Sequence, residues 1–213
     1  MAKKTTAIKK ELPLLPPLPP TQPSATSEIH PNFLSNRYIL GRAGFNTIKV
    51  YDENKQLKFV CKKKFSFKGL GLFAEEYGVY PDERCSEEIL TLRREIAVPT
   101  YHLIDPRNNT EIGQVKQKLF KVFQIEWHLF SGAREIGKVI QSSETATLGL
   151  VIGEKLTAQK YLILAPNGAQ VAEIKEIQGF FSTKGYELTV FSQNIDPRFL
   201  VASAILMFYY GAR

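Results

Sequence analysis

The chain has 213 residues, of which 44% are apolar and 23% charged, and a formal net charge of +7. This composition excludes a low-complexity or collagen-like chain and gives enough length for one large domain with a substantial core. The basic excess favours an anionic partner (nucleic acid, a membrane surface or an acidic protein), while a chain with two cysteines has no disulfide framework and fits a reducing cytoplasm.

Residues 1–36 read as a disordered, basic, proline-rich tail. Lys3, Lys4, Lys9 and Lys10 precede Pro13, Pro16, Pro17, Pro19, Pro20 and Pro23, and such a run forms neither a helix nor a sheet ladder. The opening residues lead into prolines rather than an apolar segment, unlike a secretory signal. Lys10, Pro13 and Pro16 have the spacing of a polyproline ligand with a basic anchor, so the tail is expected to recruit a protein partner or to act as a stiff spacer.

From Arg37 onward, short apolar runs alternate with turn residues, and residues 37–213 read as one domain. Ile48 and Val50 alternate with Lys49 and Tyr51, and the turn Asp52–Lys55 returns the chain through Leu57 and Phe59, which predicts a hairpin. Further strands are expected at Leu70–Tyr80, Ile89–Leu92, Thr100–Ile104, Ile112–Lys116, Phe123–Leu129, Glu135–Ile140, Tyr161–Leu164, Val171–Glu176 and Tyr186–Phe191. In one of these, Phe123, Ile125, Trp127 and Leu129 share a parity, with Glu126 and His128 opposite. Ser142–Thr157 reads as a short helix or a long loop. Tyr101–Pro106 and Tyr161–Pro166 echo each other, as an internal duplication or as two hairpins under the same constraints.

The last segment differs in kind. Asp196 suits an N-cap, Pro197 the first helical position and Gly211 a stop. Between them, Phe199–Tyr210 is apolar on every side apart from Ser203. A helix with no polar face is buried, and about 12 residues are too few for a bilayer, which takes roughly 20. About twelve strands closed into an antiparallel barrel enclose more space than side chains fill, and a helix about 197–210 threaded through the lumen fills it. The expected fold is mostly β: a closed antiparallel barrel of about twelve strands around a buried C-terminal apolar helix.

Several stretches resemble the phospholipid scramblases and the LURP-one-related proteins, whose fold is that of the tubby C-terminal domain. Phe45–Asp52 resembles their opening hairpin, Ile89–Arg94 a recurring strand, and Tyr101–Val115 their hairpin of aspartate, turn and isoleucine-glycine. Ile195–Arg198 running into the apolar segment resembles the scramblase terminus. The resemblance spans residues 37–211 and implies a non-enzymatic module that is peripheral at the inner membrane surface. Scramblases carry an acidic, calcium-binding-like segment before the terminal helix; here it reads Ser182-Thr183-Lys184-Gly185-Tyr186, without carboxylates, which argues against a calcium site. A cysteine cluster for palmitoylation is also absent, so lipid scrambling ranks low. No cofactor is expected.

Enzyme signatures are thin. His102 and His128 alternate with apolar neighbours on strands, no nucleophile elbow occurs, and the glycines around Gly41 and Gly69 lack the rest of a phosphate loop. The strongest surface feature is Lys62-Lys63-Lys64-Phe65-Ser66-Phe67-Lys68. On a strand Lys62, Lys64 and Lys68 point one way and Lys63, Phe65 and Phe67 the other. Arg93, Arg94, Lys116 and Lys118 extend this patch, which is expected to bind anionic phospholipid headgroups. Nucleic-acid binding ranks lower, because no recognition-helix or RNA-binding-sheet motif occurs.

Overall fold

The structure, a computed structural model, describes residues 28–68, 72–95, 99–118, 126–142, 158–178 and 184–211, and the side chains of these except 65–68, 72–74, 178, 184 and 211. Twelve strands occur among them: β1 Arg37–Gly44, β2 Thr47–Asp52, β3 Leu57–Lys68, β4 Leu72–Tyr80, β5 Leu90–Arg94 and β6 Thr100–Asp105. Then follow β7 Thr110–Gln117, β8 Glu126–Ser131, β9 Arg134–Gln141, β10 Lys160–Leu164, β11 Gln170–Gln178 and β12 Lys184–Val190. Each strand pairs antiparallel with its sequence neighbours, and β12 closes on β1 through Tyr38–Leu188 and Leu40–Tyr186, so the sheet is a complete barrel without edges.

The lumen is filled by α1, Pro197–Gly211. Asp196 caps it as its sequence predicts: its Oδ1 accepts from the Arg198 backbone N–H at 2.9 Å, and the Arg198 guanidinium folds back on the same carboxylate. Residues Phe199–Phe208 are all fully buried. The one hydroxyl among them, Ser203 Oγ, donates to the Phe199 carbonyl 2.8 Å away, so the helix leaves no side-chain hydroxyl unpaired along this stretch.

Inward residues of the strands meet this helix at close range. On β7 and β9 the inward positions opposite its start are Gly113 and Gly137. A Cβ on Gly113 would lie 2.2 Å from the Phe130 carbonyl oxygen and 2.4 Å from Phe199 Cζ, and one on Gly137 would lie 2.7 Å from Ile195 Cδ1. Glycine is therefore what allows the bulky first turn of α1 to enter the barrel.

Four hairpins at the end where α1 begins share one geometry. The β2–β3, β6–β7, β8–β9 and β10–β11 pairs all shift register beside the turn, and each turn holds one residue at positive φ: Lys55, Asn109, Gly132 and Gly168. The echo between Tyr101–Pro106 and Tyr161–Pro166 lies within this common pattern, which two further hairpins share without the sequence similarity. In two of the turns a buried aspartate holds the backbone: Asp52 Oδ1 accepts from the Asn54 and Gln56 N–H groups, and Asp105 Oδ1 from that of Arg107.

Residues 28–36, which the sequence reading assigns to the tail, contribute to the core. Pro31–Leu34 forms a 3-10 turn, and Phe33 is buried with its ring 4.7 Å from that of Phe59. Asn32 donates to the Lys58 carbonyl, and the Tyr38 hydroxyl donates to the Asn32 carbonyl. Phe33 and Leu34 form a lone apolar pair flanked by polar residues, which gives no periodic signal. Lys10, Pro13 and Pro16 lie outside the described residues, as do Phe123 and Ile125, nearly all of Ser142–Thr157, and Ser182–Thr183.

Candidate functional site

Closure determines which charged residues meet. In an antiparallel meander all odd-numbered strands run in one direction. The helix runs with them, since the Tyr209 hydroxyl reaches the Asn46 carbonyl just beyond β1 at 3.4 Å. The ends of β1, β3, β5 and β7 therefore lie on one rim, where α1 finishes. Lys62, Lys63 and Lys64 on β3, Arg93 and Arg94 ending β5, and Lys116 and Lys118 at the end of β7 all lie there. Lys68 ends β3, and its side chain lies outside the described residues.

Strand alternation then divides them between the two faces of the wall. Lys63 and Arg94 share the parity of the inward residues Cys61 and Leu92 and enter the mouth of the lumen. Glu75 binds both: Lys63 Nζ is 2.7 Å from its Oε1, and Arg94 Nη1 is 3.1 Å from its Oε2. The Tyr101 hydroxyl also donates to Glu75 at 3.1 Å and lies 2.9 Å from the Tyr210 hydroxyl. Burial pushes the Glu75 carboxyl up, but the Lys63 hydrogen bond and charge, with Tyr101 and Arg94, outweigh it and hold the group below the usual glutamate range.

Aromatic rings enclose this cluster. Lys63 Nζ lies 5.7 Å from the centre of the Tyr77 ring, Tyr209 packs 4.6 Å from Tyr77, and Trp127 packs 5.1 Å from Tyr210. Burial raises the phenols of Tyr77, Tyr101 and Tyr209 well above their ordinary range, so they are hydrogen-bonding groups at neutral pH and not bases. Two buried donors, Arg94 Nε and Trp127 Nε1, have no hydrogen-bond acceptor among the described residues.

On the outer face, Lys64 Nζ pairs with Glu88 Oε2 at 2.5 Å and Glu76 Oε1 at 3.5 Å, while Arg93 Nε holds Glu76 Oε2 at 2.9 Å. Of the expected cationic patch, Lys64 and Arg93 are thus neutralised on this face. Lys62, Lys116 and Lys118 differ: all three are exposed and none forms an ion pair with a described residue. Lys116 lies only over the Phe130 ring, 5.0 Å from its centre. Exposed Arg42, near the end of β1, is likewise without an acidic partner among the described residues.

The sequence carries a signal for the partner carboxylates. A hairpin turning about position 70 places Lys64 opposite Glu76, the observed register. Glu75 then falls diagonally across from Lys63, within reach of a long side chain.

His102, His128 and Cys61 lie elsewhere on the barrel. His102 Nδ1 is 2.9 Å from Glu111 Oε2, on a shallow groove of about 280 Å³ lined by Arg93, His102, Ile104, Asn109 and Glu111. His128 Nδ1 is 2.9 Å from Glu135 Oε1. Cys61 is fully buried and its thiol pushed far up by burial, which makes it inert. Among the described residues no group of three or more His, Cys, Asp and Glu side chains could hold a metal ion, and no helix is long and apolar enough to cross a membrane.

A closed twelve-stranded antiparallel barrel wrapped around an apolar C-terminal helix is the tubby-like architecture. The chain belongs to the LURP-one-related family, whose profile matches residues 39–208. A crystal structure of a protein from Arabidopsis thaliana has the same fold, with a TM-score of 0.53 at 15% identity over 86% of this chain and 97% of that one. No curated protein matches the chain.

Proposed function

We propose that this LURP-one-related barrel is a non-enzymatic module that binds anionic phospholipid headgroups at a membrane surface, using the rim where α1 finishes. One observation carries the reading: Lys62 on β3 and Lys116 and Lys118 at the end of β7 are exposed on that rim with no acidic partner among the described residues. Three intervening strands place the two groups about 19 Å apart around the wall, at about 4.8 Å per strand step. That exceeds a Debye length in physiological salt, so each group meets the lipid separately. Each lysine near an anionic surface contributes about 1 kcal/mol, and three together give about a hundredfold preference over a neutral bilayer.

Lys63, Lys64, Arg93 and Arg94 act as a supporting layer in this reading. Their charge is compensated by Glu75, Glu76 and Glu88 in the free protein, so they contribute to shape and rigidity more than to attraction. No calcium ion is needed, because the lysines contact the lipid phosphates directly.

The test is co-sedimentation of the full chain with phosphatidylcholine vesicles, with and without phosphatidylserine. Binding to the anionic vesicles that weakens with salt supports the reading. Equal retention on neutral vesicles, or none on either, removes it.

A further inference from the structure

The same rim carries a feature that charge does not explain. The turn between β1 and β2 is Phe45-Asn46, and Phe45 is 90% exposed, the most exposed large apolar side chain among the described residues. Turn tips ordinarily carry Gly, Asn, Asp, Ser or Pro. Leu34 and Phe191, the other exposed large apolar residues, lie at the opposite end of the barrel and are 50% and 57% exposed.

The tip is held firmly from beneath. The Asn46 carbonyl accepts from the Lys63 backbone N–H at 2.9 Å and from the Tyr209 hydroxyl at 3.4 Å. Tyr209 in turn packs on Tyr77, with ring centres 4.6 Å apart. The flanks of Phe45 are cationic. Arg42 lies three residues before it, and Lys62 is paired in register with Thr47, two residues after it. Both are exposed and lack acidic partners among the described residues.

We propose that the β1–β2 tip enters the membrane beside the longer β3–β4 hairpin: Phe45 inserts into the interfacial layer while Arg42 and Lys62 engage the surrounding anionic headgroups. The inference rests on the lipid-binding reading above and deepens it by assigning the orientation, with α1 pointing at the bilayer and the 3-10 turn at Pro31–Leu34 facing away. An exposed aromatic bracketed by cations matches such an interface on both counts, apolar area for the acyl boundary and positive charge for the phosphates. Burying about half of a Phe side chain corresponds to about tenfold in affinity.

The experiment uses full-length Phe45→Trp with vesicles of phosphatidylserine and phosphatidylcholine, some carrying brominated acyl chains. Trp127, the single native tryptophan, is fully buried in the barrel and serves as an internal reference. The expected result is a blue shift of the position-45 emission on anionic vesicles and quenching by the brominated chains, with wild-type emission unchanged. Phe45→Ser should bind about tenfold more weakly with its salt dependence retained. Phe45→Trp that co-sediments with unshifted, unquenched emission overturns the insertion while leaving the lipid-binding reading intact. Absence of binding by every form, or retention on a single-stranded oligonucleotide but not on vesicles, overturns both.

Discussion

Replacing Glu75 by Gln should weaken the fold and strengthen membrane binding at once. Glu75 is the hub of the mouth cluster, with Lys63 at 2.7 Å, Arg94 at 3.1 Å and the Tyr101 hydroxyl at 3.1 Å. Its side chain is 20% exposed, as is that of Lys63, while that of Arg94 is 34% exposed. Breaking a fully buried pair costs roughly 3–5 kcal/mol and an exposed one under about 1, so these half-buried groups put the loss at about 2 kcal/mol. The amide keeps the shape and one hydrogen bond but raises the net charge of the rim by one, worth about 1 kcal/mol, or about fivefold, at an anionic surface. Urea unfolding followed by tryptophan emission reads the first effect, because Trp127 packs beside Tyr210 in the same cluster. Vesicle co-sedimentation at low salt reads the second. Unchanged stability together with unchanged binding would mean that Glu75 neither supports the mouth nor masks its charge.

Three further outcomes follow from particular contacts. Gly113→Ala should lower stability by about 1–3 kcal/mol through overpacking against Phe199 and the Phe130 carbonyl, whereas Gly41→Ala, with nothing within 4 Å of its added Cβ, should be neutral to within about 0.5 kcal/mol in the same urea titration. In the native protein a thiol reagent should modify Cys85, which is half-buried, and spare Cys61 until unfolding; two fast-reacting thiols would contradict the burial of Cys61. Acid should destabilise the barrel. Burial raises the Asp52 carboxyl, but hydrogen bonds from the Gln56 backbone, Lys58 and the Asn54 backbone outweigh it, and Glu75 is held low in the same way, so both have folded pKa values below the unfolded ones. Their stabilisation is present above the unfolded carboxylate values, near pH 4, and is lost as pH falls through the folded ones. Urea midpoints should hold from pH 7 to 5 and fall below pH 4, and Glu75→Gln should fall less steeply.

Much of the fold was legible because its strongest signals are local. The terminal helix carries its own start in Asp196 and Pro197, and its apolar surface on all sides leaves burial as the only soluble arrangement. Asp52–Lys55 and Asp105–Asn109 turn because their aspartates bind the following backbone N–H groups. β1 gave a weaker signal: Tyr38 and Leu40 alternate, but Gly41, Ala43 and Gly44 dilute the pattern. Phe33 reaches the core from a stretch whose composition resembles a tail, since one buried ring leaves no period to detect. The candidate site was harder still. Each cation was visible singly, yet their gathering on one rim depends on twelve strands closing in sequence order. Which of them remain available depends on pairs such as Lys64 with Glu76, fixed by a hairpin register, and Lys64 with Glu88, on a connection after β4 that no alternation predicts. Phe45 passed as part of an opening hairpin, because exposure at a turn tip is a tertiary property.

The most direct measurement compares two charge reversals in one salt series on phosphatidylserine-containing vesicles. One is the triple variant Lys62→Glu, Lys116→Glu and Lys118→Glu on the rim where α1 finishes. The other is Arg134→Glu, an exposed residue beside the β8–β9 turn at the opposite end. Binding by the triple variant should be at least about a hundredfold weaker, with a flattened salt dependence, and Arg134→Glu should bind nearly as the wild type does. Loss of binding through Arg134→Glu, or full binding by the triple variant, would contradict the assignment of this rim as the membrane-facing surface.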